Sequence, residues 1–281
     1  MPPSSPTFAV TSEAAEAKAW FEDLIAADPM TLSVVASVTD SLVADPTRYE
    51  NPRWWAMRVH GEVVAAFMHT PPHPLHVGLA TTGQARQLAA ELAGAGGVLP
   101  GASGVRAPAE AFAQEWATRT GARLETVMEV GAFDLPERPV LPWVVPGHYR
   151  VASVSDLPLV DRWAQDFSDA VERHPTPAPT LEPAVGAGRV GLWVDGDRPV
   201  SMAYCSVVNG GVTRVSGVWT PPGHRGRGYA SGVVAALSAE RMDAGERCML
   251  YTDLANPTSN KIYQALGYRR IGDNVSIAFS G

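Results

Sequence analysis

The chain has 281 residues, a hydrophobic fraction of 46% and a formal net charge of −7, which is typical of a globular protein longer than most single domains. The acidic balance argues against a general nucleic-acid-binding protein, because basic residues cluster only in one short loop. No apolar run is long enough to span a bilayer and no secretory leader is recognisable, so we expect a cytoplasmic protein.

The first half of the chain predicts strands and helices in alternation after a loose tail at residues 1–7. Its apolar runs alternate as in strands, or recur every three to four residues as in helices. The predicted strands are Trp54–Val59, Val63–His69, Leu75–Ala80, Val105–Ala107 and Arg123–Phe133, and the predicted helices are Gln84–Leu92 and Glu110–Arg119.

A proline-rich segment at 136–147 follows and predicts a linker, because four prolines in it exclude a helix or a central strand. We therefore expect two domains, at 8–135 and 148–281.

The second half predicts a similar order of elements. Strands are expected at 149–154, 190–194, 200–207, 212–220, 248–251 and 268–279. Helices are expected from Ser155 or Asp156, from Leu181, from the loop after Thr220 to about Ala244, and from Asn256 to Gly267. The two halves therefore indicate one fold repeated in a diverged form.

A loop of glycine and arginine precedes the helix that ends near Ala244. Bare backbone N–H groups at Gly226 and Gly228, at the positive end of a helix, favour phosphate oxygens, and Arg225 and Arg227 add charged donors. We expect a diphosphate to bind there. The matching stretch of the first half, 80–85, lacks two of the glycines and both arginines, so its site is expected to be lost.

A second motif lies in the helix expected from Asn256 to Gly267. Asn256, Ser259, Asn260 and Tyr263 fall at helical spacing on one side of a short helix. Asn256 can also be read as a helix cap, and Tyr263 as a core residue with its hydroxyl at the rim.

These two motifs resemble those of the GNAT superfamily of acyl-CoA-dependent N-acyltransferases, whose phosphate loop has the pattern Q/R-x-x-G-x-G/A. The resemblance implies an α+β fold with a mixed sheet flanked by helices, two such domains in tandem, and a degenerate first copy. It implies acetyl-CoA as co-substrate, an amine acceptor of unknown identity and no metal. The residues it places at the co-substrate are Val218, Trp219, Thr220, Arg225, Gly226, Arg227, Gly228, Tyr229, Ala230, Asn256, Ser259 and Asn260, with Tyr263 beside the sulfur as the acid.

The general base is less well defined. Some members of the superfamily carry a glutamate on the fourth strand, whereas Val212–Thr220 contains no acid and has Arg214 and Ser216 at the comparable positions. Asp253 is the preferred candidate. Glu172, His174 and a chain of water molecules are alternatives.

Several aromatic side chains are candidates to wall an acceptor pocket, with Trp219 the first choice. The others are Trp163, Phe167, Trp193 and Tyr204. Cys205 and Cys248 lie in apolar runs and are expected to be buried thiols.

The leading hypothesis is an N-acetyltransferase that acts by direct attack of a primary amine, and a monomer is expected. The alternative is a catalytically silent acyl-CoA-binding sensor or scaffold. A dinucleotide-binding oxidoreductase is excluded, because the glycine loop does not open a βαβ unit.

Overall fold

The computed structural model of the protein describes residues 7–171, 178 and 180–281. The chain divides into two compact units. The first contains the described residues up to Ala132, together with Asp253–Ala255 and Gly272–Gly281. The second contains the described residues within Phe133–Thr252, together with Asn256–Ile271.

The first unit is built from four helices and a sheet. Its helices are α1 (Ala14–Ala27), α2 (Ser33–Ala44), α3 (Thr82–Gly94) and α4 (Arg106–Thr120). Its strands are β1 (Thr7–Thr11), β2 (Arg53–Val59), β3 (Glu62–His69), β4 (Leu75–Leu79) and β5 (Gly101–Val105). Strand β6 (Arg123–Leu135) leads the chain into the second unit.

Helices cover both faces of the first unit's sheet, so its strands are apolar on both sides. Trp54 and Ala56 of β2 pack into a core with α1 and α2. Trp55 and Met57 of the same strand pack into a second core with α3 and α4. Strands β1 to β4 pair antiparallel in chain order, and β4 pairs with β5 in parallel.

The second unit repeats this plan. Its helices are α5 (Leu157–Val171), α6 (Glu182–Gly186), α7 (Tyr229–Asp243) and α8 (Pro257–Ala265). Its strands are β7 (His148–Val151), β8 (Val190–Asp195), β9 (Arg198–Cys205), β10 (Val212–Trp219) and β11 (Arg247–Asp253), and β12 (Arg269–Ser280) leads the chain back to the first unit.

Strands β7 to β10 pair antiparallel in chain order, and β10 pairs with β11 in parallel. One face of this sheet packs against α7 and α8, and the other packs against α5 and α6. A capping box between Ser153 and Asp156 sets the start of the turn that leads into α5. Helix α5 itself begins at Leu157, just after the predicted start at Ser155 or Asp156, because a short 3₁₀ turn at Val154–Asp156 precedes it.

The last strand departs from the predicted domain boundaries. Residues Asn274–Ala278 of β12 pair antiparallel with β5 within the first unit, whereas the sequence predicts a second domain that covers all of 148–281. The chain thus returns to the first unit to complete its sheet. Of the predicted tail at 1–7, only Thr7 is described, and it begins β1.

Another difference concerns the strand predicted at Val105–Ala107. Strand β5 ends at Val105 and α4 begins at Arg106. The strand itself consists of glycine, alanine, serine and valine, which have no strong alternation, and its pairing with β4 and β12 fixes it instead. The pattern therefore misplaced the strand by several residues.

The proline-rich segment at 136–147 contains no helix or strand, as its prolines predict. It is nevertheless packed against the second unit, because Val145 is 8% exposed and lies in the core with α7. Cys205 and Cys248 are both buried free thiols, which confirms that expectation. No helix in the described ranges combines the length and apolarity needed to cross a membrane.

Candidate active site

The central feature of the second unit is the point where two parallel strands part. Strands β10 and β11 pair from Val212 and Arg247 through Val215 and Leu250. Beyond that pair β10 runs on to Trp219 and β11 to Asp253. Both strands therefore continue past the end of their shared ladder, which leaves main-chain groups facing the opening between them.

A bulge in β10 lies at the same point. On the β9 side, Ser216 pairs with Tyr204 and Trp219 with Met202, so β10 carries one extra residue. Gly217 in the bulge has φ +57, and a Cβ there would lie 1.8 Å from the ring of Tyr204. Only glycine fits this position, so the sequence fixes the bulge and the main chain it turns outward.

Two side chains hold the end of β10, one from β9 and one from the loop that follows β10. The buried hydroxyl of Ser201 on β9 donates to the Trp219 carbonyl at 3.0 Å and lies 2.8 Å from the Thr220 hydroxyl. Arg225 donates through Nε to the Thr220 carbonyl at 2.9 Å, and its guanidinium lies 5.1 Å from the centre of the Trp219 ring. The strand end is therefore rigidly presented.

The loop after this strand leads into a helix that lacks a side-chain cap. Gly226 and Gly228 have φ +78 and φ +83, and Gly228 is the N-cap of α7 with no side-chain hydrogen bond. The first N–H groups of α7 therefore have no capping side chain, and they lie at the positive end of the helix dipole. Arg225 and Arg227 are exposed, and neither forms an ion pair within the described ranges. This arrangement suits an anion such as a diphosphate.

Tyr229 takes part in this loop only through its main chain. Its side chain is 2% exposed in the core, and its hydroxyl donates a short hydrogen bond to Asp195. The side chain therefore fixes the first turn of α7 from inside.

Helix α8 of the second unit carries the residues of the second predicted motif. The side chain of Asn256 accepts from the N–H of Ser259 at 3.1 Å, so its cap role is present. The hydroxyl of Tyr263 forms a hydrogen bond with Ser259, and burial raises the pKa of Tyr263 to about 12. Its ring packs edge-on against Tyr268 at 6.0 Å. Tyr263 is therefore protonated throughout the physiological range, so it can donate a proton but is poorly suited to accept one.

Comparisons with known proteins agree with this geometry. Residues 190–277 match the family model described as FR47-like protein, whereas the chain matches no curated protein sequence. A GCN5-related N-acetyltransferase from Sphaerobacter thermophilus is similar with a TM-score of 0.64 and 14% identity, over 97% of this chain and 95% of that one. An acetyltransferase of the GNAT family from Colwellia psychrerythraea is similar with a TM-score of 0.61 and 11% identity, over 97% and 98% of the two chains.

A tandem GNAT protein from the clavulanic acid biosynthesis pathway is similar over 98% of both chains, with a TM-score of 0.53 and 13% identity. The chain has the tandem GNAT fold. The predicted fold class, a mixed sheet flanked by helices and present in two copies, is confirmed.

The candidate acid–base residues are less clearly arranged than the loop of glycine and arginine. The Asp253 carboxylate accepts from the N–H of Ala255 at 2.8 Å, which fixes the turn after β11. Arg214 lies on β10 near Tyr204 and Tyr251, and burial lowers its pKa. Glu172 and His174 lie outside the described residues. No group of three or more His, Cys, Asp or Glu side chains within the described ranges is placed to hold a metal ion.

The aromatic candidates separate by burial. Trp163 and Trp193 are each 6% exposed and belong to the cores, so little of either ring is open to an acceptor. The exposed part of Trp193 lines a groove along α7 with Leu141 and Tyr149. Phe167, Tyr204 and Trp219 are partly exposed. The Nε1 atom of Trp219 is buried without a hydrogen-bond partner among the described residues.

Sequence reasoning missed two residues that shape the end of β10, Ser201 and Gly217. Each interrupts an apolar strand run, as a single serine or a single glycine. A glycine inside a strand pattern is a general sign of a bulge or a close approach. That signal was available for Gly217, whereas the contact of Ser201 with the end of β10 depends on the sheet register.

Proposed function

We propose that the protein is an N-acetyltransferase that transfers an acetyl group from acetyl-CoA to a primary amine by direct attack. The observation that carries the proposal is the parting of β10 and β11 beside the uncapped start of α7. A gap between main chains can hold an extended amide-containing arm, and an uncapped helix start can hold the diphosphate attached to it.

The residues present fit acetyl-CoA in their chemistry. The main chain from Arg225 to Ala230, with the side chains of Arg225 and Arg227, would hold the diphosphate. The main chain at Val218, Trp219 and Thr220 would bind the pantetheine arm. The start of α8 would contribute Asn256, Ser259 and Asn260 to the binding of acetyl-CoA.

Acetyl-CoA supplies an acyl group that is activated as a thioester. Negative charge develops on the thioester oxygen when an amine adds, and a preorganised N–H stabilises such charge strongly. The bulge at Gly217 and Val218 turns main chain out of the β9–β10 ladder, so we assign the oxyanion-stabilising N–H to this part of β10.

The leaving thiolate requires a proton or a hydrogen bond. A free thiol has a pKa of about 8.5, well below the pKa of about 12 for Tyr263. Stabilisation of the thiolate by a hydrogen bond from Tyr263 is therefore favoured over complete transfer in the ground state. Burial raises the pKa of the leaving thiol and so narrows the difference between its pKa and that of Tyr263.

The attacking amine must be neutral, and an amine like that of lysine has a pKa of about 10.4. We keep Asp253 as the proposed base, with a water chain as the alternative. The bond from Ala255 to Asp253 favours a structural role for part of that carboxylate. No covalent intermediate on the protein is required. Burial raises the pKa of both Cys205 and Cys248, which makes them poor nucleophiles.

A catalytically silent acyl-CoA-binding protein is the second candidate function. It is favoured by the composition of β10, where Arg214 and Ser216 stand in place of a carboxylate base. Such a protein would bind acetyl-CoA without releasing coenzyme A.

The test is thiol release from acetyl-CoA in the presence of a library of primary amines. We expect release above the amine-free rate with at least one amine. In Tyr263→Phe, kcat should fall about 100-fold while acetyl-CoA still binds. Tyr149→Phe is the matched control, because it removes another tyrosine hydroxyl, one that is partly buried and bonded to Glu240. Binding without release for every amine would support the silent protein instead.

A further inference from the structure

Trp143, from the proline-rich segment, lies against the start of α7. A Cβ added to Gly228 would lie 2.9 Å from Nε1 of Trp143 and 3.2 Å from Cγ2 of Val145. The nitrogen-bearing edge of the indole is therefore in contact with the N-cap residue of the phosphate loop. Trp143 is nevertheless 45% exposed, so much of its ring faces solvent.

The segment that carries Trp143 is fixed at both ends. Its carboxyl end is held by Val145 in the core and by the Pro146 carbonyl, which accepts from Nε1 of Trp193 at 2.7 Å. Its amino end is held by the ion pair of Arg138 with Asp243 on α7, at 2.7 Å. The ring is thus presented beside the loop on an anchored backbone, which limits the entropy lost when a ligand contacts it.

The other large aromatic rings at this loop are less accessible than Trp143. Tyr229 is buried and bonded to Asp195, and Trp219 lies under the guanidinium of Arg225. Among the described residues of the loop and its flanks, Trp143 is the most exposed aromatic residue, because Trp219 and the imidazole of His224 are only partly exposed. A flat aromatic ligand that follows a diphosphate, such as adenine, is well matched to such an exposed ring.

We propose that Trp143 is part of the co-substrate site and that its exposed indole face stacks on the adenine ring of coenzyme A. The inference rests on the proposed function. It adds a determinant for the nucleotide end of the ligand, supplied by the segment that precedes the second unit's first strand. It also gives Gly228 a second reason to lack a side chain, because a Cβ there would displace the indole.

The test compares two ligands that share the acetyl and phosphopantetheine groups, of which only acetyl-CoA carries the 3′-phosphoadenosine and the second phosphate of the diphosphate. Dissociation constants of acetyl-CoA and of acetyl-phosphopantetheine are measured calorimetrically for the wild type, Trp143→Ala and Trp143→Phe. Val144→Ala is the matched control, because the neighbouring side chain is 96% exposed.

We expect Trp143→Ala to weaken acetyl-CoA about tenfold, within the range for one base stacked on one aromatic side chain. Acetyl-phosphopantetheine should be unaffected, and Trp143→Phe should retain most of the affinity for acetyl-CoA. An equal loss for both ligands would mean that Trp143 only supports the loop, and no loss for either would mean that it makes no contact. Both outcomes overturn the inference and leave the proposed function standing. Failure of the wild type to bind acetyl-CoA would overturn both.

Discussion

The two units begin corresponding helices in opposite ways. At the start of α3, the Thr81 hydroxyl accepts from the Gln84 N–H at 3.3 Å, and the Gln84 side chain accepts from the Thr81 N–H at 2.7 Å. This capping box satisfies the helix from within. At the start of α7, Gly228 supplies no side-chain cap. One fold thus closes the helix start in its first copy and leaves it open for an anion in its second.

The parallel strand pairs of the two units, β4 with β5 and β10 with β11, also differ beyond the end of their pairing. In the first unit, the paired register of β4 and β5 ends at Val77 and Gly104, and α4 begins at Arg106 directly after β5. The cation at that point is paired, since Arg106 lies 2.7 Å from Glu129 and 3.3 Å from Glu110. The comparison teaches that a copy can keep the fold while its own side chains occupy the donors and charges a ligand would need.

The largest expected difference between the units concerns alkaline pH. Both cysteines lie in the second unit, and burial there raises the pKa of Tyr263 and of Cys248 to about 12. These groups are neutral in folded and unfolded chains below about pH 8, so their contribution to stability is then complete. As the pH rises toward 12, the unfolded chain ionises first and the contribution is lost. For Tyr263 alone it is about 3 kcal/mol, from a rise of about two units above 10.0.

The measurement is the labelling rate of the two protein thiols relative to glutathione, from pH 8 to 11. We expect the protein thiols to gain reactivity more steeply than glutathione, because burial raises their pKa and because the second unit opens as its stability falls. Labelling that stays slow and parallel to glutathione would contradict this assignment.

The next largest effect is expected from Gly228→Ala. Its φ of +83 disfavours any L side chain, and the new Cβ would meet Nε1 of Trp143 at 2.9 Å. We expect the affinity for acetyl-CoA to fall about tenfold, because the loop leaves its binding conformation to relieve a strain of about 1–2 kcal/mol.

Gly83→Ala is the matched control in the first turn of α3, where a Cβ comes no closer than 3.9 Å to Thr81. It should leave binding unchanged and stabilise α3 slightly. Equal losses of affinity in the two variants would contradict the claim that only the start of α7 binds acetyl-CoA.

The smallest effect is expected from Thr81→Ala, which opens the capping box of α3. The free energy of unfolding should fall by about 1 kcal/mol, as measured by urea denaturation, with no gain or loss of acetyl-CoA binding. Thr47→Ala is the control for loss of a threonine hydroxyl, because its hydrogen bond to Asp45 is exposed. A change in ligand affinity on opening α3 would mean that the first unit shares in binding.

Local patterns predicted most of the second unit. Asn209, Gly210 and Gly211 predict a turn between strands, and Asn256 with Pro257 predicts the start of a helix, and both features are present. These residues act on their own neighbours, so the sequence is enough to read them. The Gly–Arg loop belongs to the same class, because its glycines set the local backbone.

The features that escaped prediction depend on partners distant in the chain. Strand β5 is fixed by β4 and by β12, which comes more than 160 residues later. No periodicity in Gly101–Val105 announces that pairing. Ser201 and Trp143 likewise acquire their places through contacts with Trp219 and Gly228, and a single residue in an apolar or proline-rich run gives no sign of such contacts.

The most direct test of the central claim is the stoichiometry of acetyl-CoA binding to the intact chain, measured by isothermal titration calorimetry. We expect a single molecule per chain, because only the second unit combines a helix start without a side-chain cap with two strands that run three or more residues past their parallel ladder. Two molecules per chain, or none, would contradict it.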